Sequence, residues 1–276
     1  MDEITAEYTT EQLAEPATLR VRPRVTVACK TDLGRVRENN EDKFEYFLPE
    51  DNPTLASRGL VFLVCDGMGG HAAGQIASEL TAKTFIDVYI NHPSTDATVA
   101  MAGAVTAANR FVLDVARAVP SRKGMGTTLS GLILLQDKAY TVQVGDSRVY
   151  RLRAGELAML TQDHTYIEEA IRLGTLTPQE AENHPYKHVL LRAVGTEEVV
   201  NPDVETHDSK PGDIYLLCSD GLLNHVDDDT IAEVMRTNNP GETTWRLVGL
   251  ALMGGGSDNT TVMIVRVDDL EESREN

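Results

Sequence analysis

The chain has 276 residues, 41% of them apolar and 25% charged, with 43 acidic against 25 basic side chains and a formal net charge of -18. That length fits one large domain burying ~70% of its extended surface, and so negative a field repels phosphate backbones: nucleic acid and anionic membrane surfaces are poor partners, divalent cations better ones. The scattered Cys29, Cys65 and Cys218 lack zinc spacing and read as reduced, buried thiols; with no secretory pattern in the acidic N-terminus and no apolar stretch near the ~20 residues of a bilayer span, a cytoplasmic protein is expected.

Residues 1–22 are polar and acidic and contain Pro16, which predicts a flexible lead-in or an edge segment. The alternating, β-branched run 25–29 suits a strand. A loop over 32–42 and a short strand near 43–48 follow, then a turn segment over 49–57 rich in Asn, Pro and Asp. Residues 59–65 form an apolar run short enough for a buried strand, ending at Asp66. Helices are predicted over 72–89, where Ile76, Leu80 and Thr84 share a stripe, and over 96–119, ended by Pro120. Strands then follow in succession at 126–135, 138–144, 148–152 and 157–160, which favours antiparallel sheets.

The composition changes over 161–195. Few β-formers occur, and Thr177-Pro178-Gln179-Glu180 has the N-cap, N1 proline and N3 glutamate of a small helix. A second buried strand is predicted at 213–218, helices at 228–237 and 242–252, and a closing strand at 260–267, with Gly254-Gly255-Gly256 turning the chain before it.

Two apolar strands end alike, in Cys65-Asp66-Gly67 and in Cys218-Ser219-Asp220-Gly221. An aspartate and a glycine at a strand end commonly make only a turn, but the repetition speaks for more. Asp42 and Asp258 also stand just before strands, so the fold has four carboxylates to bring together. Oxygen-only ligation suits magnesium or manganese, and two such ions can activate water and neutralise a phosphoryl group.

The chain resembles the metal-dependent protein serine/threonine phosphatases of type 2C (PPM), especially bacterial members. The resemblance is carried, in order, by Thr31-Asp32-Leu33-Gly34-Arg35-Val36-Arg37-Glu38-Asn39-Asn40-Glu41-Asp42, Asp66-Gly67-Met68-Gly69-Gly70-His71, Gly124-Met125-Gly126-Thr127-Thr128, Gly145-Asp146-Ser147-Arg148, Thr161-Gln162-Asp163-His164-Thr165, Ser219-Asp220-Gly221-Leu222 and Gly256-Ser257-Asp258-Asn259-Thr260-Thr261. One such segment is weak; seven in order across about 25–268 are specific.

The resemblance implies an α+β fold, a four-layer α/β/β/α sandwich with two central antiparallel sheets flanked by helices. It implies a catalytic domain over 23–268, a flap subdomain at about 161–195 and an acidic tail over 269–276. It further implies two tightly bound Mn2+ or Mg2+ ions and direct attack by a water or hydroxide bridging them, without a covalent enzyme intermediate, on phosphoserine or phosphothreonine of proteins. By position, Asp66 would bridge the ions, the Gly67 carbonyl would bind one, and Asp220, Asp258 and Asp42 would complete the set. Glu41 is the alternative to Asp42 or its helper. Asp146 would help hold a weaker third ion, with Asn224 where eukaryotic members have an aspartate, and Asn259 stands beside Asp258. Arg37 matches the phosphate-binding arginine. His71 is either a proton donor to the leaving oxygen or a cap on the following helix.

The basic flap residues His164, Arg172, His184, Lys187, His188 and Arg192 either guide a phosphorylated loop or merely solvate the segment, and no aromatic recognition pocket is evident. The expected partners of this monomer are phosphorylated proteins, including Ser/Thr kinases and their substrates. A catalytically silent scaffold and a hydrolase of small phosphoesters are the alternatives; the retained aspartates oppose the first, and the flap mildly opposes the second.

Overall fold

The computed structural model describes residues 17–70, 72–181, 184–187 and 189–273. One five-stranded sheet has the order β1 (Val21–Asp32), β12 (Thr260–Glu272), β11 (Ile214–Cys218), β8 (Arg148–Arg153) and β9 (Glu156–Met159). The other has the order β10 (Asp203–Asp208), β7 (Lys138–Val144), β6 (Leu129–Leu135), β3 (Leu60–Cys65) and β2 (Lys43–Phe47). All pairings are antiparallel, and β4 (Gly67–Met68) and β5 (Gly126–Thr127) add a small ladder below the site.

Three apolar layers hold the sandwich together, and strand periodicity decides which side chain enters which. Every residue of β3 is buried. Val61, Leu63 and Cys65 face α2 (Ala72–Ile90) and α3 (Ala97–Ala118), whereas Phe62 and Val64 face the opposite sheet, because successive side chains on a strand point to opposite faces. On β11, Tyr215 and Leu217 meet Phe62 and Val64 in the middle layer, while Leu216 and Cys218 pack under α7 (Asp228–Thr237) and α8 (Pro240–Met253). Each fully buried large apolar side chain contributes about 1.5–3 kcal/mol, and a one-residue slip would move all of them to the wrong layer. The register is therefore firm where β3 and β11 end, which is where the acidic motifs begin. The result is the expected α/β/β/α sandwich.

Several elements differ from the sequence expectation. The chain enters β1 at Val21, ahead of the expected start at 25, and β12 continues to Glu272, pairing with Val21, through residues assigned to the tail. Residues 1–16 and 274–276 lie outside the described residues. The expected turn over 49–57 contains α1 (Asn52–Arg58), started by the Asp51 carboxylate, which accepts from Thr54 N–H at 2.8 Å. The expected strand 126–135 is split at Thr128 into β5 and β6.

Between β9 and β10, α4 (Tyr166–Arg172) was not anticipated, whereas α5 (Pro178–Ala181) has the foreseen capping box: Glu180 N–H donates to Thr177 Oγ1, and Thr177 N–H to Glu180 Oε2. Helix α3 is long and apolar enough, by length and composition, to cross a bilayer, but half of that window is buried here. Met101, Ala104, Val105 and Ala108 lie in the core layer on the second sheet.

Candidate metal centre and phosphate cleft

The strand ends are pinned by hydrogen bonds to their backbone, and Asp66, Asp146, Asp220 and Asp258 line a common cleft. Asp66 follows β3. Its N–H donates to Thr128 Oγ1 (2.8 Å), and its carbonyl accepts from Thr127 Oγ1 (2.8 Å) and Thr128 N–H (2.9 Å). Thr128 Oγ1 also meets Ser147 Oγ at 2.8 Å, tying the Asp66 turn to the loop that carries Asp146. Gly67 admits no side chain: a Cβ there would lie 2.2 Å from the Gly74 carbonyl oxygen and 2.6 Å from that of Glu41.

The β11 end is fixed equally tightly. Ser219 N–H donates to the Thr261 carbonyl (3.1 Å), Thr261 N–H donates to Ser219 Oγ (2.9 Å), and Ser219 Oγ donates to Asp42 Oδ2 (2.7 Å). Asp220 opens the short helix α6 (Asp220–Leu223). Asn259 clamps the loop before β2: its Oδ1 accepts from Glu41 N–H (2.8 Å), and its Nδ2 donates to the carbonyls of Leu33 (2.9 Å) and Asn39 (3.0 Å).

These turns surround a cleft of about 990 Å3 lined by Arg37, Glu41, Asp66, Gly67, Asp146, Asp220, Asn224, Asp258 and Asn259, among others. Asp42 stands behind the wall, only 7% exposed, and Glu41 lies on it. His71 lies outside the described residues. Arg37 Nη2 donates to Asp258 Oδ2 at 2.6 Å from a half-exposed position, so further guanidinium donors remain open to the cleft. Arg148 pairs in bidentate fashion with Asp163 (2.8 and 2.9 Å), not with Asp146, which is therefore left facing the cleft.

The carboxylates perturb one another. Asp66 is held well above the usual carboxylate range, first by desolvation and then by Asp42, Asp220, Asp146 and Asp258. Burial pushes Asp42 up to about 7 against the hydrogen bonds from Ser219 and Thr261, and burial with Asp220 and Asp163 pushes Asp146 up to about 7. Among the described residues, no three His, Cys, Asp or Glu side chains converge on one point closely enough to form a finished ligand cage. The donor set is nonetheless all oxygen, and Asp42 Oδ1 is buried with no hydrogen-bond partner, so the residues fit hard divalent cations that would hold these groups ionised.

A pH dependence follows. A carboxyl that titrates near 7 when folded and at about 3.9 when unfolded binds its proton more tightly in the folded state. It favours folding below the lower value and loses that contribution as pH rises through the upper one. In chelator, the melting temperature is expected to fall between about pH 4 and pH 7, with a smaller fall in Asp146→Asn, and Mn2+ should restore most at the alkaline end. Identical pH profiles for wild type and variant in chelator would refute this.

The flap residues correct two sequence expectations. His164 is a buried tie, not a surface guide: its Nδ1 accepts from Gly145 N–H (3.2 Å) and its Nε2 bonds Asp203 Oδ2 (3.0 Å), which steadies the loop before Asp146. Burial lowers its basicity. Arg192 and Arg172 are paired with Asp203 (2.7 Å) and Glu169 (2.6 Å), and His188 lies outside the described residues. An aromatic group does exist: Tyr166, His184 and Tyr186 pack with ring centroids 5.6–5.8 Å apart, scattered over the sequence and so invisible as a motif. The reading also missed His225, which lines the cleft and lies in no quoted motif.

Two central antiparallel sheets flanked by helices match the architecture of the PPM-type phosphatases. The chain belongs to the protein phosphatase 2C family, on its bacterial branch, and the family model matches residues 36–248. It is 36% identical over 252 residues to the serine/threonine protein phosphatase PstP of Mycobacterium tuberculosis, covering 91% of this chain and 47% of that protein; it thus spans about half the length of that relative. It is 34% identical to the serine/threonine phosphatase stp of Listeria monocytogenes over 89% of this chain and 97% of the relative. A crystal structure of the catalytic domain of the phosphatase PstP in complex with two manganese ions superimposes with a TM-score of 0.75 at 36% identity, covering 89% of this chain and 99% of that one.

Proposed function

We propose that the chain hydrolyses phosphoserine and phosphothreonine in proteins, using two Mn2+ or Mg2+ ions and no covalent enzyme intermediate. The observation that carries the reading is the placement of Asp66, Asp146, Asp220 and Asp258 around one cleft with Arg37 at its rim. Asp66, the Gly67 carbonyl, Asp220 and Asp258 would hold the ions, with Asp42 or Glu41 completing the set. Glu41 is the better placed of the two for direct contact, and Asp42 for support from behind Ser219. When bound, such ions supply an activated water and offset charge on the phosphoryl group. The manganese-bound PstP domain supports this choice of cofactor.

The remaining work falls to the chain's own groups. Arg37 orients the phosphoryl oxygens through its forked donors and stabilises their growing charge. His71 is the proposed proton donor to the leaving oxygen. Asp146 is the proposed holder of a weaker third ion. Asn224, whose Nδ2 donates to Asp220 Oδ2 at 3.4 Å, supplies no carboxylate there, which is a reason for that ion to bind weakly. The family relationship supports phosphorylated proteins, among them Ser/Thr kinases and their substrates, as partners of a monomeric cytoplasmic enzyme that binds no nucleic acid.

Comparison of a phosphothreonine peptide with a generic aryl phosphate, each with Mn2+, tests the substrate class. The peptide should have the higher kcat/KM; a large preference for the aryl ester would favour a hydrolase of small phosphoesters. Arg37→Ala should lower kcat/KM about 10- to 100-fold, the range for losing charge-assisted hydrogen bonds, without weakening Mn2+ binding. Unchanged KM and kcat would reduce Arg37 to a surface charge.

A further inference from the structure

We infer that His225 is a positioning residue that holds the Ser257–Asp258 turn in place for ion binding. It stands two residues after the end of α6 and faces the glycine-rich turn between α8 and β12. Ser257 N–H donates to His225 Nε2 at 3.1 Å, and Ser257 Oγ lies 2.9 Å from the same nitrogen. An imidazole nitrogen that receives a backbone N–H must present its lone pair, so the ring proton sits on Nδ1.

The ring also packs on the turn: a Cβ built at Gly254 would lie 2.8 Å from His225 Cβ, and one at Gly255 would lie 3.3 Å from Cε1. Among the described contacts, Ser257 is tied to the body of the protein through this ring, and the next residue is Asp258, whose carboxylate faces the cleft and meets Arg37. His225 thus joins the chain after Asp220 to the chain before Asp258, fixing the span between two acidic side chains that come from separate strand ends. Its Nε2 is engaged with Ser257, which leaves it without a free acceptor for substrate chemistry.

This inference rests on the reading of Asp258 as an ion ligand. Removing the bond frees the turn, so His225→Ala should weaken Mn2+ binding at one of the two tight sites about three- to tenfold, the worth of one hydrogen bond. The rate at limiting Mn2+ should fall and recover as Mn2+ is raised. His225→Gln, which can present an amide oxygen to Ser257 N–H, should restore most of the affinity. Ser257→Ala, which keeps the backbone donor, should have a smaller effect of the same sign.

The test is calorimetric Mn2+ binding to the full chain and its three variants, beside phosphopeptide rates across Mn2+ concentration. Wild-type affinity in His225→Ala, or a rate loss that excess Mn2+ does not recover while binding is normal, overturns the proposal; the second result would make His225 a group acting on substrate. If His225→Ala does not fold, Ser257→Ala decides, and unchanged affinity there overturns it. Calorimetry needs no substrate, so a chain that binds Mn2+ without hydrolysing phosphopeptide would refute the proposed function and leave this inference intact.

Discussion

Asp66→Asn is expected to reduce phosphopeptide turnover by about three orders of magnitude or more, the scale of removing the proposed ion ligand, worth several kcal/mol. The fold should survive. What the structure uses from Asp66 is its backbone, held by Thr127 and Thr128, and asparagine keeps all of those bonds. The carboxylate itself is buried among Asp42, Asp220, Asp146 and Asp258, and burial first, then those charges, raise its proton affinity. Asparagine replaces a group whose charged form is penalised at this place, so the variant in chelator should melt at or above the wild-type temperature. A stable but inactive protein separates this account from a folding defect. Near-wild-type turnover at limiting Mn2+ would refute the assignment of Asp66.

Gly221→Ala should damage the same site without touching a charge. A Cβ at Gly221 would lie 1.9 Å from the Asn259 carbonyl oxygen, far inside contact distance. Neither wall can yield easily: Ser219 is bonded to Thr261 in both directions, and the Asn259 side chain is committed to Leu33, Asn39 and Glu41. Overpacking of this kind costs about 1–3 kcal/mol, which for a chain of this size lowers the melting temperature by roughly 2–10 °C. The methyl group forces Asp220 away from Asp258, so Mn2+ affinity should fall more than tenfold. Thermal unfolding with Mn2+ calorimetry checks both; wild-type values in each would show that the close approach of α6 to Asn259 does not set the site.

Much of this arrangement could be read from the sequence because its signals are local. The all-apolar run before Asp66 and the one before Asp220 each marked a buried strand and its end, and Thr177-Pro178-Gln179-Glu180 marked a helix start. Other features depend on contacts that no local pattern encodes. Helix α1 is seven residues long with no repeating apolar stripe, so Asp51 and Pro53 read as turn residues although they start a helix. Strand β10 is polar and has no fully buried residue at the edge of its sheet, where it needs no apolar alternation.

His164 and Arg192 read as free basic groups because their shared partner, Asp203, lies 39 and 11 residues away in sequence. His225 and Ser257 are separated by 32 residues, and only the turn after α8 brings them together. The carboxylates stand out in the sequence because each flanks a strand; the histidines do not, because each is defined by what it touches.

The most direct measurement is phosphate release from a phosphothreonine peptide by metal-depleted protein to which Mn2+ is returned in steps. The account predicts negligible release in chelator, saturable recovery with Mn2+, and no recovery in Asp66→Asn at the concentration that saturates wild type. Full activity in the metal-depleted protein, or equal recovery in Asp66→Asn, would contradict it.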